Sequence, residues 1–141
     1  MPEQLIAPPM EPLISLTIRN GKKAFQPGDE LEYEFQVDAV DAGEIQAVEA
    51  SVMWYTEGKG DEDIGVHDFH RAVAADLKEG DLRELKRFHT ILPNSPLSYD
   101  GLILKVHWCV RVRVFLGRGK ETFFELPFQL GNVPRVDAVN P

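Results

Sequence analysis

The feature that most constrains the fold is a strict alternation of apolar and polar residues that recurs along the chain. The clearest example covers residues 30–37 and the longest covers residues 103–116. In the first, the apolar face consists of Leu31, Tyr33, Phe35 and Val37. In the second, it consists of Leu104, Val106, Trp108, Val110, Val112 and Val114. Because successive side chains of a strand point to opposite faces, a period of two predicts strands that are buried on one side.

Shorter segments with the same period lie between turns rich in Gly, Pro and Asn. They cover residues 13–19, 48–55, 64–73, 85–92 and 121–130. Together the segments predict an all-β protein of about seven strands without a long helix, which is typical of an antiparallel, immunoglobulin-like β-sandwich. The pattern over residues 74–84 fits either one helical turn or a loop. We expect six aromatic side chains at the centre of the core: Phe35, Trp54, Phe88, Trp108, Phe124 and Phe128.

The length predicts one domain with a sizeable core, since 43% of the 141 residues are hydrophobic. We expect the sandwich to span residues 13–131. Four of the ten prolines fall within residues 1–12, which predicts a flexible, proline-rich arm. Residues 132–141 lack periodicity and predict a flexible tail.

Charge and cysteine usage exclude several classes of protein. The chain has 15 Lys and Arg against 23 Asp and Glu, and the resulting net charge of −8 disfavours a nucleic-acid partner. No stretch approaches the roughly 18 apolar residues of a membrane span, and no secretory signal is visible at the start. Cys109 is the only cysteine, so an intrachain disulfide is excluded. We therefore expect a cytoplasmic protein.

Two stretches resemble motifs of the arrestin-like superfamily. The first is Phe25-Gln26-Pro27-Gly28-Asp29-Glu30-Leu31, which leads into the alternating strand. The second covers residues 88–101 and leads into residues 106–112, with Thr90 where the family has a second aromatic residue. The resemblance is to single sandwiches such as those of bacterial sporulation-control proteins and the N-terminal domains of arrestins. The residues that carry it are Pro27, Gly28, Pro93, Ser98, Gly101 and Trp108.

The resemblance implies a non-catalytic scaffold or adaptor domain that binds protein partners. Arrestins contain two such sandwiches, whereas this chain has the length for one, which suggests that two copies pair as a homodimer. The buried charged cluster with which arrestins sense phosphate has no counterpart here, so no receptor or phosphate site is inferred. A structural subunit of a larger assembly is an alternative function.

The histidines and Cys109 raise a second alternative, a metal-binding or enzymatic domain. On a regular strand His67 and His70 lie on opposite faces, whereas His107 and Cys109 share one. A site would combine His70, His107 and Cys109, and the positive neighbours of Cys109 would favour its thiolate. A small, partly buried thiol is the interpretation of Cys109 that we favour. No motif supports this site, so we predict no catalytic residue, metal or cofactor. The acid-rich loop Glu57–Asp63 fits either a weak Ca²⁺ site or a solvated loop.

Two rows of charged residues are the candidate partner-binding surface. The basic row consists of Lys105, His107, Arg111 and Arg113. The acidic row consists of Glu30, Glu32 and Glu34. Each row lies on the polar face of its predicted strand, where it could attract an oppositely charged partner or a second copy. Cross-strand pairing within the fold is the alternative.

Overall fold

A computed structural model describes residues 12–38, 41–60, 62–76 and 81–132. The described residues form nine strands: β1 Leu13–Ile18, β2 Ala24–Phe25, β3 Glu30–Asp38, β4 Ile45–Gly58, β5 Ile64–Val73, β6 Lys86–Ile91, β7 Tyr99–Asp100, β8 Leu104–Leu116 and β9 Glu121–Leu130. Seven of these strands have six or more residues, which confirms the predicted number. The described part of the chain contains no α-helix, and Ala74–Asp76 forms a 3₁₀ turn. The predicted arm and tail lie outside the described residues except for Pro12 and Asn132.

The strands form two sheets, as expected for a sandwich. The small sheet has the order β1-β3-β6. The large sheet has the order β2-β9-β8-β4-β5, with β7 also paired to β8. All pairs are antiparallel except β2 with β9, which run parallel over two residues. The predicted antiparallel, immunoglobulin-like sandwich is therefore confirmed, with one short parallel pair added.

The core lies between β3 of the small sheet and the centre of the large sheet. The four apolar residues predicted to share a face of β3 are all at most 3% exposed. Trp108, Val110, Val112 and Val114 of β8 are equally buried. Each apolar side chain of this size contributes about 1.5–3 kcal/mol when fully buried, so these two strands contribute substantially to the stability of the domain.

The predicted aromatic core is correct except at Phe124. Phe35, Trp108 and Phe128 are buried, and Trp54 and Phe88 pack partly buried against the core. Phe124 is 44% exposed although its register with Val112 places it on the core side of β9. The three strands of the small sheet cannot cover all six strands of the large sheet, and β2 pairs with only the last two residues of β9. The other end of β9 is consequently left without a covering strand.

The Pro27-Gly28 turn joins β2 to β3. Hydrogen bonds connect this turn to the residue that follows β6. Gly28 has a φ of 88°, a left-handed conformation that favours glycine. Its N–H donates to the carbonyl of Leu92 at 3.0 Å, and the N–H of Leu92 donates to the carbonyl of Asp29 at 2.9 Å. Pro93 follows directly, beyond the end of β6. Because proline has no N–H to donate to a ladder, it is suited to a position where a strand has ended.

The remaining motif residues fix the segment between β6 and β8. The hydroxyl of buried Ser98 accepts a hydrogen bond from the N–H of Leu130 at 2.8 Å. The indole N–H of Trp108 donates to the carbonyl of Pro96 at 2.8 Å. A Cβ at Gly101 would overlap the ring of Tyr99, so this position has no room for a side chain. These contacts give Ser98, Gly101 and Trp108 structural roles.

Candidate protein-interaction surface

The acidic row lies on the outer face of the small sheet and is paired within the fold. The carboxylate of Glu32 accepts from Arg19 at 2.5 Å, and that of Glu34 accepts from Arg87 at 2.9 Å. Glu30 lies 3.6 Å from the imidazole of His89. The hydrogen bond from Arg19 to Glu32 raises the pKa of the arginine. The turn after β1 and strand β6 therefore already supply partners for every member of the row.

The basic row lies on the outer face of the large sheet and is also paired. Lys105 approaches Asp100 at 3.6 Å, and His107 hydrogen-bonds Glu57 at 2.7 Å. Arg111 forms an ion pair with Glu125 across the ladder from β8 to β9. Arg113 contacts Glu121 at 2.8 Å and Glu49 at 3.8 Å. These contacts are of the kind expected from the alternative, in which the charged residues pair across strands within the fold.

The two rows occupy opposite outer faces of the sandwich, because β3 belongs to the small sheet and β8 to the large one. One partner surface cannot meet both rows of the same protomer. Exposed ion pairs contribute only about 0–1 kcal/mol each, so a partner could still exchange them at modest cost. A partner-binding role of either row stays a prediction.

The proposed combination of His70, His107 and Cys109 is not brought together. His107 and Cys109 share the outer face of the large sheet, as predicted. His70 lies on its inner side, where its ring stacks on Phe88 at a centroid distance of 3.8 Å. Within the described ranges, no group of three His, Cys, Asp or Glu residues is arranged to hold a metal ion. The sheet itself separates the three groups.

Cys109 is the small, buried side chain that we favoured, and the alternative of a reactive thiolate is not supported. The thiol is 2% exposed, although it lies on the outer face. Burial raises its pKa to about 12, and the charge of Glu125 adds to this effect. Arg111 acts in the opposite direction, as expected from its charge, but it is the weaker influence. Desolvation of the charged form therefore outweighs the neighbouring cation.

The prediction that His67 and His70 lie on opposite faces is wrong. Along β5, Asp68 pairs with Val52, but Met53 pairs with Val66, so His67 is the extra residue of a β-bulge. The ring of His67 hydrogen-bonds the carbonyl of Ile91 on β6 at 2.8 Å. His70 also contacts β6, through Phe88. A bulge changes the side-chain period, and a sequence pattern does not reveal it.

The acid-rich loop closes the hairpin between β4 and β5. The N–H of Asp63 donates to the hydroxyl of Thr56 at 2.8 Å, and the N–H of Thr56 donates to the carbonyl of Asp63 at 2.9 Å. Asp61 lies outside the described residues. Thr56 and Asp63 thus hold the turn through these two hydrogen bonds. The carboxylate of Glu57 is hydrogen-bonded to His107.

One end of the sandwich carries a cluster of exposed apolar side chains that the sequence analysis missed. The cluster, here called the apolar tip, consists of Tyr99, Leu102, Ile103 and Leu104. Leu102 and Ile103 are the most exposed, at 79% and 71%. The tip holds four of the thirteen exposed large hydrophobic residues in the described part of the chain. Scattered exposed apolar residues are ordinary, whereas a contiguous group indicates an interaction site.

Backbone contacts hold the apolar tip in place. The N–H of Gly101 donates to the carbonyl of Leu104 at 3.0 Å, which closes the turn between β7 and β8. The N–H of Lys59 donates to the carbonyl of Ile103 at 3.3 Å. Gly58 has a φ of 145°, and a Cβ there would overlap that same carbonyl. The hairpin between β4 and β5 therefore packs directly against the tip.

Charged residues surround the apolar tip. The pair Lys105–Asp100 lies on the strands that lead into and out of the turn. The pair His107–Glu57 lies on the neighbouring β4 and β8. An apolar centre with a polar rim is the usual composition of a protein interface. The sequence signal was available, because Leu102, Ile103 and Leu104 are three consecutive aliphatic residues and break the alternation.

Comparison with known proteins identifies the fold. No family model and no curated protein sequence matches the chain. Among solved structures, the chain is similar to Spo0M, a sporulation control protein from Bacillus subtilis, with a TM-score of 0.58 and 14% identity. The match covers 86% of this chain and 49% of that chain, so this chain spans about half the length of the protein it resembles. The fold is arrestin-like, as the sequence motifs predicted. No helix in the described ranges is long and apolar enough to cross a membrane.

Proposed function

We propose that the chain is a non-catalytic adaptor or scaffold domain that binds another protein through the apolar tip. The observation that carries the proposal is the grouping of Leu102 and Ile103, both more than 70% exposed, at one end of the sandwich. Burying two aliphatic side chains of this size contributes about 3–6 kcal/mol to an interface. The ion pairs around them supply a polar rim.

The rigidity of the tip supports this role. Its carbonyl groups at Ile103 and Leu104 are held by N–H groups of Lys59 and Gly101. A loop that is already ordered loses little conformational entropy on binding, which improves affinity. End loops carried by a rigid β scaffold are where binding residues commonly lie.

The fold supports the proposal only at the level of class. An arrestin-like sandwich is compatible with a regulatory or adaptor protein, but fold alone does not define function. The proposal includes a cytoplasmic location and the absence of enzymatic activity. It also includes a second copy of the chain as a candidate partner.

A pair of double variants tests the proposal. Leu102→Asp with Ile103→Asp places two charges in the tip, whereas Leu13→Asp with Ile64→Asp places them at sites of similar exposure elsewhere, 61% and 64%. Surface changes of this kind alter stability by about 0.5 kcal/mol or less, and thermal denaturation verifies it.

Partners captured from a native cell extract are quantified with each immobilised variant and with the wild type. We expect the tip variant to lose the partner and the control variant to retain it. Sedimentation at micromolar concentration separately determines whether the partner is a second copy. If both variants captured the partner equally well, the apolar tip would not be the binding site.

A further inference from the structure

A second feature outside the apolar tip is a cavity of about 310 Å³ between the two sheets, at the side where β5 and β6 lie. Its walls include Phe35, Val48, Ala50 and Leu82, each at most 5% exposed. The ring of Phe88 forms a further, partly buried wall. The cavity is partly open to solvent at the border of the core, so a ligand can enter it. Ligand pockets begin at about 300 Å³.

Two alanines create the space. Ala50 of β4 lies between His70 of β5 and Val112 of β8, and Ala72 of β5 lies opposite Val48. The core-facing neighbours of Ala50 on its own strand are valines, as are those along β8. A valine or leucine at either alanine would fill part of the cavity.

The polar residues around the cavity are not equivalent. Arg71 is engaged by the carboxylate of Glu49. The imidazole of His70 shares a hydrogen bond with Asp68 at 3.0 Å. The ammonium group of Lys86 lies 3.9 Å from Glu84, beyond hydrogen-bond distance, and its side chain is 37% exposed. The ion pair of Lys86 is the longest of the three, so Lys86 is the cation best able to donate hydrogen bonds to an anionic group of a ligand.

We propose that this cavity binds a small amphiphile with one apolar chain and a carboxylate head. The chain occupies the apolar floor over Ala50 and Ala72, and the carboxylate pairs with Lys86 at the rim. Burial of the chain provides most of the affinity, because it removes apolar surface from water. The cation selects an anionic head over a neutral one of the same length.

Titration calorimetry with decanoate and with decanol, both below their aggregation limits, tests the site on the full chain. We expect decanoate to bind saturably with one molecule per protomer and more tightly than decanol. Ala72→Leu fills the cavity and weakens both ligands at least about tenfold. Lys86→Gln weakens decanoate by about fivefold and leaves decanol unchanged. Leu102→Asp with Ile103→Asp, in the apolar tip, leaves both affinities unchanged.

Thermal denaturation confirms that each variant is folded, and Ala50→Val replaces Ala72→Leu if the latter unfolds. Decanoate that does not saturate, or that binds the filled variant as well as the wild type, overturns the site. Equal affinity for decanoate and decanol overturns the role of Lys86. Loss of binding in the tip variant assigns the ligand to the tip instead. If Ala72→Leu loses a protein partner but still binds decanoate, the cavity is a protein-docking site. That result overturns the proposal.

Discussion

Replacement of Trp108 by alanine is the sharpest test of the sandwich core. Trp108 is 1% exposed and lies 5.8 Å from the ring of Phe128. Its indole N–H donates to the carbonyl of Pro96 at 2.8 Å, which ties the segment before β7 to β8. Truncation of a buried tryptophan lowers the free energy of unfolding by about 3–5 kcal/mol, because transfer energy is lost and a cavity is left behind.

A loss of about 4 kcal/mol is a large part of the roughly 5–15 kcal/mol that stabilises a domain of this size. With a urea dependence of about 2 kcal/mol per molar, the unfolding midpoint falls by about 2 M. Trp108→Phe serves as the intermediate variant, because it keeps one aromatic ring but deletes the hydrogen bond and part of the buried indole volume. We expect it to lower the free energy of unfolding by about 2–3 kcal/mol, less than the alanine variant does. An alanine variant with the midpoint of the wild type would refute the core assignment.

Other predictions follow from the same contacts. Ser98→Ala leaves the buried N–H of Leu130 without its acceptor and lowers the free energy of unfolding by about 1–3 kcal/mol in urea titrations; an unchanged midpoint would contradict this. Because burial raises the pKa of Cys109 to about 12, stability falls as the pH rises from about 9 towards 12. Cys109→Ala reduces this dependence without removing it, because burial also raises the pKa of Tyr33. Rapid labelling of the native thiol at pH 8 would contradict its burial. Arg111→Glu with Arg113→Glu breaks ion pairs and costs about 1–2 kcal/mol in thermal denaturation. If this variant stays folded and keeps every partner, the basic row is not a docking surface.

The sequence was sufficient to predict which side chains are buried where the alternation within a single strand decides it. The faces of β3 and the central part of β8 follow from a period of two, and the predicted residues of both are buried. The turn at Gly28 was readable because few residues adopt a positive φ. These features are local, so no knowledge of neighbouring strands was needed.

The errors have a common physical origin in neighbouring strands. The exposure of Phe124 depends on how far the small sheet extends over β9. The side of the strand on which His67 lies was predicted wrongly because a bulge shifts the pairing of β5 with β4. The apolar tip was not predicted from the sequence. Its exposure arises from the way two hairpins meet at one end.

Site-specific photo-crosslinking in the living cell tests the proposed function most directly. A benzophenone side chain replaces Ile103 in the apolar tip, or Ile64 at a site of similar exposure on β5. The account predicts one discrete protein adduct from position 103 that is absent from position 64. Adding Leu102→Asp to the crosslinking chain should abolish the adduct. The absence of an adduct at position 103, or the same adducts from both positions, would contradict the account.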